Sequence, residues 1–279
     1  MGDEQITPPT TDHLITMKSF RSFLHEDFAT VLERDSHQIM AMTFAEYARY
    51  FFKGVVKLQS LPVVVAYLSF VALSPLWIRY VRPLGLRKVL VVYNFACSLF
   101  SLYSVVIILA ALARNWPQSL FLCEEDSLVK HAFWVYYMTK YIELLDTVFM
   151  IVRHRLRQVS LLHIYHHSSI LMLSEYAYTY GNWPAISVPL GLNGIIQVFL
   201  YFYYGQSALN PGQRPAWKKN LTQLQLIQFM IGLCHMIVGY LQHGWCWYGI
   251  AYELTMIWLF SNFYYQAYLK ERAVAKKLE

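Results

Sequence analysis

Between residues 89 and 113 the chain reads VLVVYNFACSLFSLYSVVIILAALA, with Arg87 and Lys88 before it and Arg114 after it. No charged side chain falls inside the stretch. A helix needs about 20 apolar residues to cross the hydrocarbon core of a bilayer. A strand this long and this continuously apolar is rare, so the stretch reads as a transmembrane helix. Comparable stretches lie near 58–78, 131–152, 159–180, 184–207, 221–242 and 246–268. Short polar joints separate them, and the expected fold is an all-α polytopic membrane protein with seven transmembrane helices.

Composition points the same way. Hydrophobic residues make up 57% of the 279-residue chain and charged residues 14%, against roughly 45–50% and 25% in a soluble domain. Disorder needs the opposite balance, and a soluble globule would lack the polar surface to cover itself. The net charge of +6 could suit nucleic acid, but its placement has another explanation and no nucleic-acid partner is expected.

Residues 1–57 are polar, with eight acids and six bases, and show no apolar run of the signal-peptide kind. Short amphipathic helices are expected around 20–32 and 44–56. Beyond them the joints alternate. The first carries Arg79, Arg82, Arg87 and Lys88; the third Arg153, Arg155 and Arg157; the fifth Arg214, Lys218 and Lys219. The second is acidic (Glu124, Glu125, Asp126), and the fourth and sixth have neither Lys nor Arg. The positive-inside rule then makes the basic joints and the C-terminus cytosolic. The expected parts are a lumenal segment 1–57, a membrane domain 58–268 and a basic cytosolic tail 269–279. Lys53 and Lys57 are out of phase with this topology. Lys276 and Lys277 resemble a dilysine retrieval signal of endoplasmic reticulum membrane proteins.

Four cysteines (Cys97, Cys123, Cys234, Cys246) form no CxxC pair, so no zinc ribbon is indicated. Cys123 and Cys246 both fall on the side expected to be oxidising. A bridge between them requires Cα atoms within about 7 Å.

The informative residues are polar ones inside the spans, where a charge costs about 2.5–3.5 kcal/mol on insertion scales. Lys140, Glu143, Asp146 and Thr147 share the third span. Steps of three residues are nearly one helical turn, so the three charges share a side and Lys140 can pair with Glu143. They either clamp helices together or orient a catalytic base. His163, His166 and His167 open the fourth span on one face. Neutral imidazole binds metals and also acts as a base or nucleophile near neutral pH. Asn193 and Gln197 lie one turn apart in the fifth span, before Tyr201 and Tyr204; Thr222, Gln225 and Gln228 recur at steps of three in the sixth. Amides in spans are often interhelical glue; together they could hold an oxyanion or a polar head group.

At these residues the chain resembles the ELO family of very-long-chain fatty acid elongases. The family's K-x-x-E-x-x-D-T stands as Lys140, Glu143, Asp146 and Thr147, its L-H-x-x-H-H as Leu162, His163, His166 and His167, and its T-x-x-Q-x-x-Q-F as Thr222, Gln225, Gln228 and Phe229. Its N-x-x-x-H-x-x-M-Y-x-Y-Y aligns with Asn193, Gln197, Leu200, Tyr201, Tyr203 and Tyr204, so glutamine stands where the family commonly has histidine. The likeness runs from about residue 60 to the tail.

The resemblance implies a 3-oxoacyl-CoA synthase of the endoplasmic reticulum membrane. Such an enzyme joins a long-chain acyl-CoA to malonyl-CoA with release of carbon dioxide and CoA, its helices enclosing an acyl-chain tunnel. The implied partners are membrane lipids and the ketoacyl-CoA reductase, dehydratase and enoyl reductase of the elongation cycle; a homodimer is left open. No bound cofactor or metal is expected. The Leu-His-Ile-Tyr-His-His form of the box resembles the branch acting on polyunsaturated chains. Expected catalytic residues are His163, His166, His167, Lys140, Glu143, Asp146, Asn193 and Gln197. Tyr201, Tyr204, Gln225 and Gln228, with Arg153, Arg155, Arg157, Lys218 and Lys219 for CoA phosphates, are expected to bind substrate. His166 and His167 are candidates for nucleophile and partner, His163 for orienting them or acting as base. Glu143 and Asp146 are expected to hold the imidazoles in tautomer.

Two other readings stay open from the residues themselves. A membrane di-iron desaturase or hydroxylase also uses H-x-x-H-H boxes, but resembles proteins with about three of them, since two irons need many ligands; here there is one. A seven-span receptor or transporter would have no need of three histidines beside a Lys-Glu-Asp stripe.

Overall fold

The structure, a computed structural model, describes residues 44–270 apart from Arg214, Gly244 and Cys246. Nine α-helices run through the described residues: α1 Phe44–Lys57, α2 Ser60–Tyr80, α3 Arg87–Arg114, α4 Ser127–Glu143, α5 Leu145–Val152, α6 Leu161–Tyr180, α7 Pro184–Leu209, α8 Lys218–His243 and α9 Tyr248–Tyr264. A π-helical turn, Tyr265–Leu269, continues α9. Among these residues there is no strand. The amphipathic helix expected around 44–56 is α1; the one expected around 20–32 lies outside the described residues, as do the dilysine tail and Arg214.

Each boundary has a local cause. Asp126 caps α4, its Oδ1 accepting from the backbone N–H of Leu128 at 2.7 Å and Val129 at 3.1 Å. Ser160 caps α6 by accepting from His163 N at 3.2 Å, and Pro184 opens α7 where its missing N–H costs nothing. The start of α2 is capped from a distance. The buried carboxylate of Glu175, on α6, accepts from Gln59 N and Ser60 N, both at 2.8 Å, and so satisfies two of the orphan donors at that helix end.

α2, α3, α7 and α8 are long and apolar enough, by length and composition, to cross a membrane. The other three expected spans differ for physical reasons. The third is two helices rather than one: the chain breaks at Leu144, whose N–H reaches back only three residues, to Tyr141 O at 3.2 Å, beside the three charges. α6 carries the histidines and Glu175. α9 is 17 residues long before the π-helical turn. Large apolar side chains such as Val92, Leu99, Leu241 and Trp258 are exposed, while Lys140, Glu143, Asn193 and Gln228 are buried. That inversion of the soluble pattern is what a membrane environment permits.

Helix ends meet in two groups. At one end Leu84 N donates to Val152 O at 2.9 Å, and Arg87 donates to the terminal carbonyls of α7, to Ala208 O at 3.1 Å and Leu209 O at 2.5 Å. The first, third and fifth joints thus meet. At the other end Asp126 N donates to Asn182 O at 3.2 Å and Ala185 N to Leu122 O at 3.1 Å. There Phe121 also stacks on His243, ring centroids 4.6 Å apart, joining the sixth joint to the second and fourth.

α3 packs most intimately with α7. A Cβ on Gly191 would lie 3.0 Å from the Ile108 side chain, and one on Gly194 would lie 2.7 Å from that of Val105. The missing side chains let the two backbones approach, the use small residues commonly have between membrane helices. α4 packs between α3 and α6, and α8 joins α7 to α9. The bundle leaves a cavity walled by α6, α7, α8 and α9.

Candidate active site

The break between α4 and α5 organises the charges. Lys140 Nζ lies 2.7 Å from Glu143 Oε1, with side-chain exposures of 2% and 0%, as the three-residue spacing predicts. The ammonium also sits 4.5 Å from the Tyr136 ring centroid, a cation–π contact. Past the break, Asp146 Oδ2 accepts from Tyr201 OH on α7 at 2.7 Å.

Of the three imidazoles, His163 has its described hydrogen bond to a hydroxyl. His163 Nε2 lies 2.7 Å from Thr147 Oγ1, which is 2.9 Å from Tyr67 OH on α2. The carboxylates of Glu143 and Asp146 make their described hydrogen bonds to Lys140 and Tyr201 instead. Among the described hydrogen bonds, a hydroxyl chain, Tyr67–Thr147, reaches His163, and neither carboxylate reaches an imidazole. Tyr67 sits in an apolar span with no motif around it. Thr147 carried a signal in its place within K-x-x-E-x-x-D-T.

The three histidine rings form a group: His163 and His167 have centroids 4.3 Å apart, His166 and His167 5.4 Å. His167 is buried. His166 lines the cavity, together with Asn193 of α7 and Gln228 of α8. The Asn193 carbonyl oxygen accepts from Tyr136 OH at 2.7 Å, which turns the amide and leaves its NH2 group as donor. Tyr136 was not among the sequence-predicted residues; its ring now links the Lys140 ammonium to the Asn193 amide.

From these residues the cavity, about 300 Å³, runs between apolar and aromatic walls (Ile170, Leu173, Phe229, Tyr248) to Cys123, Trp183 and Trp245 at the far end. Its polar end and largely apolar walls suit a ligand with a polar head and a hydrocarbon tail.

Other expected residues sit elsewhere. Gln197 is buried on α7 with its Oε1 unpaired and does not line the cavity. Tyr201 spends its hydroxyl on Asp146 and is 2% exposed, while Tyr204 is 42% exposed, so neither tyrosine lines the cavity. Gln225 is half-buried. Arg155, Arg157 and Lys218 are exposed and Arg153 and Lys219 half-buried; the Arg153 guanidinium is held below its ordinary pKa by burial and by Arg155 beside it. Cys123 carries a free thiol, pushed up in pKa by burial; its expected partner Cys246 lies outside the described residues. Among the described residues no three His, Cys, Asp or Glu side chains are grouped to hold a metal ion.

Fold and site together define a helical membrane protein with a buried histidine centre opening on a hydrocarbon-lined cavity. A family model described as the ELO: GNS1/SUR4 family matches residues 57–276. The chain is 37% identical over 242 residues to very long chain fatty acid elongase 5 of Tachysurus fulvidraco, covering 79% of each chain. The protein of that name from Homo sapiens is 36% identical over 234 residues, 76% of this chain and 75% of that one. The one from Xenopus tropicalis is 34% identical over 232 residues, with coverage of 76% and 75%. The chain belongs to the ELO family.

Proposed function

We propose that this protein catalyses the condensing step of fatty acid elongation, joining a long-chain acyl-CoA to malonyl-CoA to give a 3-oxoacyl-CoA two carbons longer. The observation that carries the reading is the meeting of His166, Asn193 and Gln228 at one end of an apolar cavity, in a chain whose relatives are named very long chain fatty acid elongases. The acyl tail lies in the cavity and its thioester at the polar end.

The His166 imidazole nitrogen attacks the thioester carbon. Its N–H proton passes to His167 or its neighbours, and the tetrahedral oxyanion takes hydrogen bonds from the amide donors of Asn193 and Gln228. The C–S bond breaks, CoA leaves and takes a proton, and an acyl-imidazole remains. Malonyl-CoA then loses carbon dioxide, the C–C electron pair becoming an enolate that the same donors stabilise. The enolate carbon attacks the acyl carbon, the C–N bond breaks, and the departing His166 nitrogen takes up a proton from solvent by way of His167, which restores the imidazole. The relay from Tyr67 through Thr147 holds the His163 ring in place against His167. In this reading the protein spans the endoplasmic reticulum membrane seven times with its C-terminus cytosolic. Arg153, Arg155, Arg157, Lys218 and Lys219 meet CoA phosphates at the cytosolic end, and the 3-oxo product passes to the reductases and dehydratase of the cycle. The form of the histidine box favours polyunsaturated chains.

The test is CoA release from acyl-CoA alone. One equivalent per active site and an intact mass raised by the acyl group are expected, both lost in His166→Ala. An active preparation with no burst and no adduct would replace this route by a concerted one. Feeding candidate acids to a host poor in long polyunsaturated lipids, and reading its lipid profile, tests the substrate class.

A further inference from the structure

Part of the way along the cavity a carboxyl group stands where the hydrocarbon tail is to run. Glu253, on α9, lines the cavity, is 7% exposed, and its Oε2 is buried with no hydrogen-bond partner. Its seat is cut into the facing helix. A Cβ on Gly232 of α8 would lie 2.7 Å from Glu253 Oε1 and 3.0 Å from its carboxyl carbon, so any other residue there would push the carboxyl out. Gln228, one turn back along α8 towards the histidines, also lines the cavity, and its Oε1 is likewise buried without a partner. The rise of four residues puts Gly232 roughly 6 Å further along the helix than Gln228.

An unpaired buried carboxyl oxygen on the cavity wall is costly. A plain alkyl chain lying against the Glu253 carboxyl leaves it unsatisfied and takes away any water that served it. A chain bearing a hydroxyl at that depth satisfies the carboxyl, its O–H donating to Glu253 Oε2. We propose that Glu253, seated by Gly232 and flanked by Gln228, is a polar subsite in the tunnel for an oxygen function carried on the acyl chain. The protein thereby selects hydroxylated acyl-CoAs over plain ones of equal length. This rests on the reading of the cavity as the acyl tunnel. Sites built to hydrogen-bond a substrate hydroxyl reject analogues that lack it far more strongly than apolar pockets reject a change of shape.

The experiment uses full-length protein in nanodiscs with malonyl-CoA. A plain acyl-CoA competes with a series of monohydroxy acyl-CoAs of the same length, the hydroxyl moved stepwise along the chain. One position in the series is expected to be preferred about tenfold in kcat/KM. Glu253→Met should bring that ratio close to one while raising turnover of the plain chain, and Glu253→Gln should keep most of the preference. Methionine removes an unpaired buried carboxyl, so the variant folds, which thermal unfolding in the same nanodiscs checks. No preference at any position, or the same ratio in Glu253→Met as in the parent, overturns the subsite. Leu173→Trp, which fills the cavity, separates the two readings. If it leaves elongation of every chain unchanged, the cavity is not the tunnel and both fall. If it blocks elongation while Glu253→Met leaves the ratio unmoved, the subsite alone falls.

Discussion

Removing one member of the Lys140–Glu143 pair should harm this protein far more than removing both. The charges are 2.7 Å apart with exposures of 2% and 0%, and at an effective dielectric constant of about 20 their attraction is worth roughly 6 kcal/mol before desolvation is counted. Desolvation offsets much of that, which is why buried pairs often contribute little net stability, whereas stranding one buried charge costs about 3–5 kcal/mol. Here the stranded charge would have little else to turn to. Glu143 Oε2 has no partner even with Lys140 in place, and the ammonium has the face of Tyr136 as its other contact. Lys140→Met and Glu143→Gln are therefore each expected to destabilise by about 3–5 kcal/mol, and Lys140→Met with Glu143→Gln together by less than about 2 kcal/mol, a coupling of several kcal/mol. Reversible unfolding of the purified protein in mixed micelles, followed by tryptophan fluorescence for the four proteins of the cycle, measures it. Additive effects of the two single changes would refute the argument. So would two single variants as stable as the parent, since a charge that can be stranded at no cost is not buried as described.

Thr147→Val keeps the shape of the side chain but breaks the relay to His163. Turnover should fall roughly tenfold with little change in unfolding, Tyr67→Phe should fall less, and an unchanged kcat in both would remove the relay from the mechanism. Gly194→Ala places a methyl 2.7 Å from the Val105 side chain and should destabilise by about 1–3 kcal/mol through overpacking, read in the same unfolding assay; Gly212→Ala, with open space around its Cβ, is the control. The Cys123 thiol, raised in pKa by burial, carries less thiolate at neutral pH than a free cysteine. Its alkylation should be slow at neutral pH and quicken as pH rises past the ordinary thiol range. In sealed microsomes an impermeant maleimide should reach it only after the vesicles are opened, and labelling of sealed vesicles would reverse the topology.

The long apolar runs, the alternation of basic and non-basic joints, and the gathering of Lys140, Glu143, Asp146 and the three histidines were legible in the sequence. Hydropathy, charge and helical spacing are local quantities, set within a few residues of one another. The Lys140–Glu143 pair is of that kind, being one helical turn long. What only the tertiary structure decided are relations between helices. Tyr67 reaches Thr147 across 80 residues, Tyr136 reaches Asn193 across 57, and Tyr201 reaches Asp146 across 55. Each depends on how one helix is rotated against its neighbour, which packing at places such as Gly194 against Val105 sets and no spacing encodes. The break at Leu144 belongs to the same class: the sequence there is continuously helix-forming, and the turn tightens where the two halves must serve different partners, Lys140 on one side and Tyr201 on the other. Glu253 stood in the sequence as a single carboxylate in an apolar span. Its place on the cavity wall, opposite a glycine, exists only once α8 and α9 have packed, because the notch that admits it is made by one helix and filled from the other.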